Sequence, residues 1–167
     1  MDITQLSDGT GFVMAQPFLI ERVIKALNFD LSATKGPRDG VPAALALLTK
    51  DLDGPERKAA WHYRSVIGML GYLQGTTRPD LSFATHQCAR FNTCPKLSHE
   101  KAVKKIARYL LETADKGIIF RPDLSCGLEC YVDAAFASGW KDNDRDLPES
   151  VLSRTRFVIL YAGCPIL

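Results

Sequence analysis

The chain has 167 residues, of which 46% are hydrophobic and 24% charged, and its formal net charge is +2. That is an ordinary globular composition, enough for one domain or two small ones, and the charge is too small to argue for nucleic acid by itself. No apolar run approaches ~18 residues and no basic-then-apolar leader is visible, so no membrane partner is expected and an intracellular location is.

Residues 3–16 predict a β-hairpin, because Asp8-Gly9 is a favoured hairpin turn and Phe12-Val13-Met14 suits a strand. Pro17 opens a helix whose apolar residues include Leu19, Ile20, Val23, Ile24 and Leu27. Residues 30–53 read as a linker, punctuated by Lys35-Gly36-Pro37 and Asp39-Gly40-Val41-Pro42, with room for one helical turn over 43–48. A long helix is expected to start at Gly54-Pro55-Glu56. Within it Val66, Ile67, Leu70 and Leu73 mark a buried stripe, and Gly75-Thr76-Thr77 ends it.

Arg78 precedes a proline and should be non-helical. Pro79 and Asp80 open the next helix, which carries Leu81, Ala84, Cys88 and Phe91 on one side. His62 and His86 fall on or beside these two helices. Neither has a nucleophile or carboxylate that sequence can pair with it, so both read as structural hydrogen-bonding groups.

Cys94-Pro95-Lys96 is a turn, after which Ser98 can cap a helix over roughly 99–113 with Glu100 in its first turn. At about 100° per residue, Lys101, Lys104, Lys105 and Arg108 fall within about a quarter turn, opposite Val103, Ile106, Ala107 and Leu110. A basic face this dense suits phosphate contact, and the plainer alternative is a solvated helix face. No aromatic residue interleaves the lysines, so base stacking is not indicated along this helix.

Residues 117–120 and 127–137 predict strands, the second with Asp133 among apolar neighbours. Residues 141–150 are acidic and turn-rich. Asp142, Asp144 and Asp146 alternate like the start of a calcium loop, but the glycine and terminal glutamate that such a loop requires are missing. Five cysteines (Cys88, Cys94, Cys126, Cys130, Cys164) form no even framework and are expected to be reduced thiols. Cys126 and Cys130 lack the tight pair and the matched second pair of a zinc site.

Residue identity goes further than periodicity. YRSVIGMLGYLQGTTRPDLSFA (63–84), RYLLETADKGIIF (108–120) and YVDAAFASGW (131–140) resemble, in order and in register, the region after the polymerase palm in copia-type retrotransposon polyproteins. The resemblance implies an α+β fold: a central helical bundle (thumb and connection) with an N-terminal β-hairpin and a truncated C-terminal ribonuclease-H-like sheet. It implies a division into 1–29 (hairpin and helix after the palm), 30–53 (linker), 54–114 (thumb and connection) and 115–167 (connecting strand and incomplete ribonuclease H). The basic helix then looks like part of a thumb lying against a primer–template, which would make an RNA–DNA or DNA duplex a weak electrostatic partner. The remainder of the Pol polyprotein would be a second partner.

Asp133 matches the first ribonuclease H aspartate of the family, which helps bind two magnesium ions that clamp the attacking and leaving oxygens of a phosphodiester. Ala135 stands where the family often has a second aspartate, and Arg156 where it normally has glycine. The polymerase Tyr-x-Asp-Asp segment is absent, and the later nuclease acids would lie beyond Leu167. The expectation is therefore a fragment without a complete active site, either a piece of a reverse transcriptase or a nucleic-acid-binding module, with an inert remnant as the third reading. Strands 127–167, lacking most of their sheet, should leave exposed edges. Purified as it stands, the chain should neither extend a primer nor cut an RNA–DNA hybrid; magnesium-dependent activity that Asp133→Asn abolishes would overturn that.

Overall fold

The computed structural model describes residues 1–28, 40–44, 46–135 and 154–166. In chain order these form β1 (Asp2–Gln5), β2 (Phe12–Ala15), α1 (Pro17–Ala26), α2 (Tyr63–Thr76), a 3-10 turn (Pro79–Leu81), α3 (Ser82–Ala89), α4 (Leu97–Glu112), β3 (Ile118–Phe120), β4 (Leu128–Ala135), β5 (Arg154–Tyr161) and β6 (Cys164–Pro165). Strand order is β1-β2-β3 in one sheet and β4-β5-β6 in the other. The mixture is α+β, as the resemblance implied.

Contacts divide the chain into two compact units, Met1–Thr4 with Val13–Ile118, and Gln5–Phe12 with Ile119–Leu167. The first holds the four helices. Its core joins Ile20, Val23 and Ile24 of α1, Val66, Leu70 and Leu73 of α2, Leu81, Ala84 and Cys88 around α3, and Val103, Ile106 and Leu110 of α4. Each set recurs at three- and four-residue spacing, so each helix buries one stripe and leaves its other face to water. Gln16, just ahead of α1, accepts hydrogen bonds from the hydroxyls of Thr76 (2.7 Å) and Thr77 (3.0 Å) and so clasps α1 to the end of α2.

The corner between α2 and α3 is held by charge as well as by the buried Leu81. Arg78 is 2% exposed. Its Nε and Nη2 donate to the two carboxylate oxygens of Asp80 at 3.0 and 2.8 Å. Its Nη1 donates to the Thr113 carbonyl (2.8 Å) and its Nη2 to the Thr113 hydroxyl (2.7 Å), just past the end of α4. Tyr109 donates its hydroxyl to Asp80 Oδ2 at 2.8 Å. Burial alone would raise the Asp80 carboxyl, but the hydrogen bonds from Arg78 and Tyr109 and the arginine's charge hold it below the usual carboxylate range.

Two expectations need correction. The long helix starts at Tyr63, not at Gly54. Residues 54–62 are not helical: Glu56 bridges to Lys96 and the Leu97 N–H donates to the Pro55 carbonyl at 3.0 Å, contacts that a helix would forfeit. His62 instead caps α2, its Nδ1 accepting from the Ser65 N–H at 3.2 Å. The described residues of 43–48 hold no helical turn. The Lys35-Gly36-Pro37 punctuation and the acidic stretch 141–150 lie outside the described residues.

In the second unit β4 and β5 pair antiparallel, with Leu128 opposite Tyr161, Val132 opposite Phe157 and Asp133 opposite Arg156. Leu128, Tyr131, Val132, Phe157 and Tyr161 are all exposed, as expected of strands without a packed face. The expected strand stops at Ala135 among the described residues, and 136–137 lie outside them.

Because lysine offers no planar fork to span Asp80 and Thr113 together, Arg78→Lys should lower stability by about 2–4 kcal/mol. Urea unfolding followed by circular dichroism checks this; an unchanged midpoint would mean that the buried guanidinium does not hold the corner.

Candidate nucleic-acid interface

The candidate surface is α4, and its placement begins at its first turn. The Lys96 N–H donates to His99 Nδ1 at 2.8 Å, and His99 Nε2 lies 2.8 Å from the Thr49 carbonyl. Those two contacts fix the tautomer, with Nδ1 accepting and Nε2 donating. The ring is fully buried and stacks on Phe91, centroids 4.0 Å apart and planes 6° from parallel. The helix starts at Leu97, so Ser98 lies inside its first turn rather than capping it, and its hydroxyl is bonded to the Asp51 carboxylate. A histidine at the third helical position reaching back to the backbone ahead of the helix resembles a capping box, and that spacing was visible in the sequence.

Val103, Ile106, Ala107 and Leu110 are buried as the periodicity required. Lys101 and Arg108 are exposed, whereas Lys104 and Lys105 are half-buried. Lys104 is not simply a solvent-facing cation. Its Nζ lies 2.6 Å from Glu100 Oε1, and Glu100 is 2% exposed. Glu100 Oε2 accepts from the Ala59 N–H (3.3 Å) and lies 3.8 Å from Arg57 Nε. Arg57 in turn sits over the rings of Trp61 (4.3 Å) and Tyr63 (5.2 Å). Burial would raise the Glu100 carboxyl, but the Lys104 hydrogen bond, the Ala59 N–H and the two cationic charges hold it below the usual carboxylate range. Lys101, Lys105 and Arg108 share this side of α4 with Lys104, which serves the buried acid that ties Arg57 and Ala59 to α4.

Beside this face lies a cavity of about 250 Å³, lined by residues of α3 and α4 and by Pro42, Ala43, Ala44, Ala46 and Leu48. Ala43, Leu48, Phe83, Ala84 and Ile106 are among its apolar lining residues, and Lys101 and Lys105 line it from α4. Gln87 lines it too and is 3% exposed. Its Oε1 accepts from Arg90 Nη1 at 3.3 Å, which fixes the amide orientation, and its Nε2 is buried without a hydrogen-bond partner. The Cys88 thiol, also on the wall, is pushed up to about 12 by burial, which makes it a poor nucleophile.

Asp133 lies on β4 with 69% of its side chain exposed, and Arg156 of β5 faces it across the ladder, Nη1 to Oδ2 3.7 Å. A guanidinium beside a lone carboxylate competes with a divalent cation for it. Among the described residues no three His, Cys, Asp or Glu side chains gather into a group that could hold a metal. Those present therefore do not fit the magnesium pair, and no chemical step is routed through it. All five cysteines are free.

The chain is similar to three curated transposon proteins. Over 80 residues it is 38% identical to the retrovirus-related Pol polyprotein from transposon RE2 of Arabidopsis thaliana, covering 48% of this chain and 5% of that protein. It is 40% identical over 81 residues to the corresponding polyprotein from transposon RE1 of the same plant, again 48% of this chain and 5% of the other. To a transposon Ty5-1 protein of Saccharomyces cerevisiae it is 30% identical over 112 residues, 67% of this chain and 34% of that protein. It thus spans a small part of the two Arabidopsis polyproteins and about a third of the yeast protein. No protein-family model and no solved structure matches it.

The Glu100 network predicts a pH-dependent loss. Lys104→Ala should cost about 1–2 kcal/mol at neutral pH, less than for a sealed pair because the lysine is half-buried and Arg57 remains. A depressed carboxyl stabilises the fold above its unfolded value, near 4.5, and that contribution is lost as pH falls through its lower folded value. The penalty of the substitution should accordingly shrink in acid. Parallel melts of both proteins at neutral and acid pH test this, and a penalty that does not change with pH would contradict it.

Proposed function

We propose that this chain, a relative of the copia-type retrotransposon Pol polyproteins, corresponds to the thumb and connection segment of their reverse transcriptase running into the start of ribonuclease H, and acts as a non-catalytic contact for duplex nucleic acid. The observation that carries the reading is the disposition of α4. Its apolar stripe is sealed in the core, and Lys101 and Arg108 are exposed on its other side, with Lys105 half-buried beside them. A helix pinned at both ends with its cations outward presents charge at fixed spacing, which is what contact with a regular phosphate backbone requires.

The same reading makes the chain inactive as a nuclease on its own. Metal-assisted phosphoryl chemistry needs several carboxylates converging on the ions, and Asp133 is met by Arg156 instead. The comparison with Pol polyproteins supports a piece of such a polyprotein, and the helical make-up of α2, α3 and α4 is what a thumb-like body would need. Three cations give weak binding, and it should read shape rather than sequence.

Binding of this kind is mostly counterion release, so affinity for an RNA–DNA hybrid should fall steeply with salt, by about 0.9 in logarithmic slope for each phosphate neutralised. Lys101→Ala with Lys105→Ala should flatten that slope by nearly two units. Arg64→Ala, an exposed cation of α2 away from this face, should leave it unchanged. A salt titration by fluorescence anisotropy decides the matter: equal slopes in wild type and double mutant would mean the face is merely solvated.

A further inference from the structure

We propose that Glu100 withholds Lys104 from phosphate, and so sets how many cations α4 can offer to a nucleic-acid backbone. The proposal rests on the duplex-contact reading and assigns that contact its controlling residue.

Lys101 and Lys104 lie on the same side of α4, three residues apart, but their surroundings differ. Lys101 is exposed. Lys104 has 35% of its side chain exposed, and one turn before it stands Glu100, whose side chain is 3% exposed. The Lys104 ammonium donates to Glu100 Oε1 at 2.6 Å.

A buried carboxylate is tolerated only when donors meet it. On the Oε2 side Glu100 has the Ala59 N–H at 3.3 Å and Arg57 Nε at 3.8 Å. Arg57 is itself held, since its Nη2 donates to the Trp61 carbonyl at 2.8 Å and its guanidinium lies over the rings of Trp61 and Tyr63. Oε1 relies on Lys104. If that lysine left for a phosphate, a buried charge would lose its closest donor. Such a loss is several times what an exposed ion pair returns. Lys104 therefore stays with Glu100 when a duplex binds, and Lys101 is free to engage it.

A neutral residue of the same shape reverses this. Glutamine has one acceptor oxygen and one amide nitrogen where glutamate has two acceptors. The oxygen is needed beside Ala59 and Arg57, so the nitrogen faces Lys104, donor against donor. The lysine is then released, and its flexible stem lets the ammonium reach water and phosphate.

The test is a set of salt titrations on one RNA–DNA hybrid, read by fluorescence anisotropy, with folding of each variant checked by circular dichroism. Lys101→Ala should flatten the logarithmic slope by about 0.9, whereas Lys104→Ala should leave it nearly as it is. Glu100→Gln should steepen it by about 0.9, which is roughly eightfold tighter binding at about 0.1 M salt. Adding Lys104→Ala to Glu100→Gln should bring the slope back to the wild-type value. A gain in slope that needs Lys104 is not what mere loosening of the fold produces. If Glu100→Gln does not fold, the comparison of Lys101→Ala with Lys104→Ala decides the question by itself. Equal flattening by those two, or a folded Glu100→Gln with the wild-type slope, would overturn control by Glu100 and leave the duplex contact standing. Absence of salt-dependent binding in the wild type would remove the duplex contact and this control with it.

Discussion

A buried guanidinium is costly unless acceptors meet its donors, and Arg78 is buried almost completely. Asp80 takes two of its hydrogen bonds and Thr113 two more, so a residue at the corner of α2 and α3 is joined to the end of α4. The other end of α4 is held as firmly. His99 bonds residues 96 and 49, and Glu100 bonds the Ala59 N–H and Lys104. A helix held at both ends by directional bonds cannot roll about its axis, as apolar packing alone would allow. The direction in which Lys101, Lys105 and Arg108 point follows from those anchors, as does the side of α4 left facing the cavity.

How much of this could be read from the chain follows from the range of each interaction. Stripes such as Val66-Leu70-Leu73 and Val103-Ile106-Leu110 are local patterns, and they placed α4 and the end of α2 to within a few residues, though not the start of α2. The Thr-Arg-Pro-Asp string was recognisable from the family it resembles, and the steric effect of proline on Arg78 foretold the break there. What periodicity could not foretell were partners forty or more residues apart. Glu56 draws Pro55 and Arg57 out of a helix toward Lys96 and Glu100, and nothing in 54–62 read alone shows it. A helical wheel places Glu100 one turn before Lys104, but it does not show that this carboxylate is buried and so holds the lysine. The cavity was invisible for the same reason. Phe83 and Lys105 are 22 positions apart and meet only through the packing of α3 on α4.

Arg156 gains a second meaning from the strand register. In sequence it is a bulky charged residue where the resembled family has glycine. In the structure it is the direct cross-strand neighbour of Asp133. Both side chains are well exposed, so the pair contributes little to stability. Its effect is electrostatic and local: the carboxylate most suited to a metal by family resemblance spends its charge on an arginine.

The membership of the helical core carries a last consequence. Every residue in it lies between Ile20 and Leu110, and no strand contributes. Substitutions along β4 and β5 therefore leave the helices' packing energy untouched, and selection for folding of the bundle cannot police them. Two tolerances to substitution are then built into one polypeptide. The helices lose packing when an apolar stripe changes, whereas exposed positions of the ribbon, such as Tyr131 and Phe157, can change without opening the helical core.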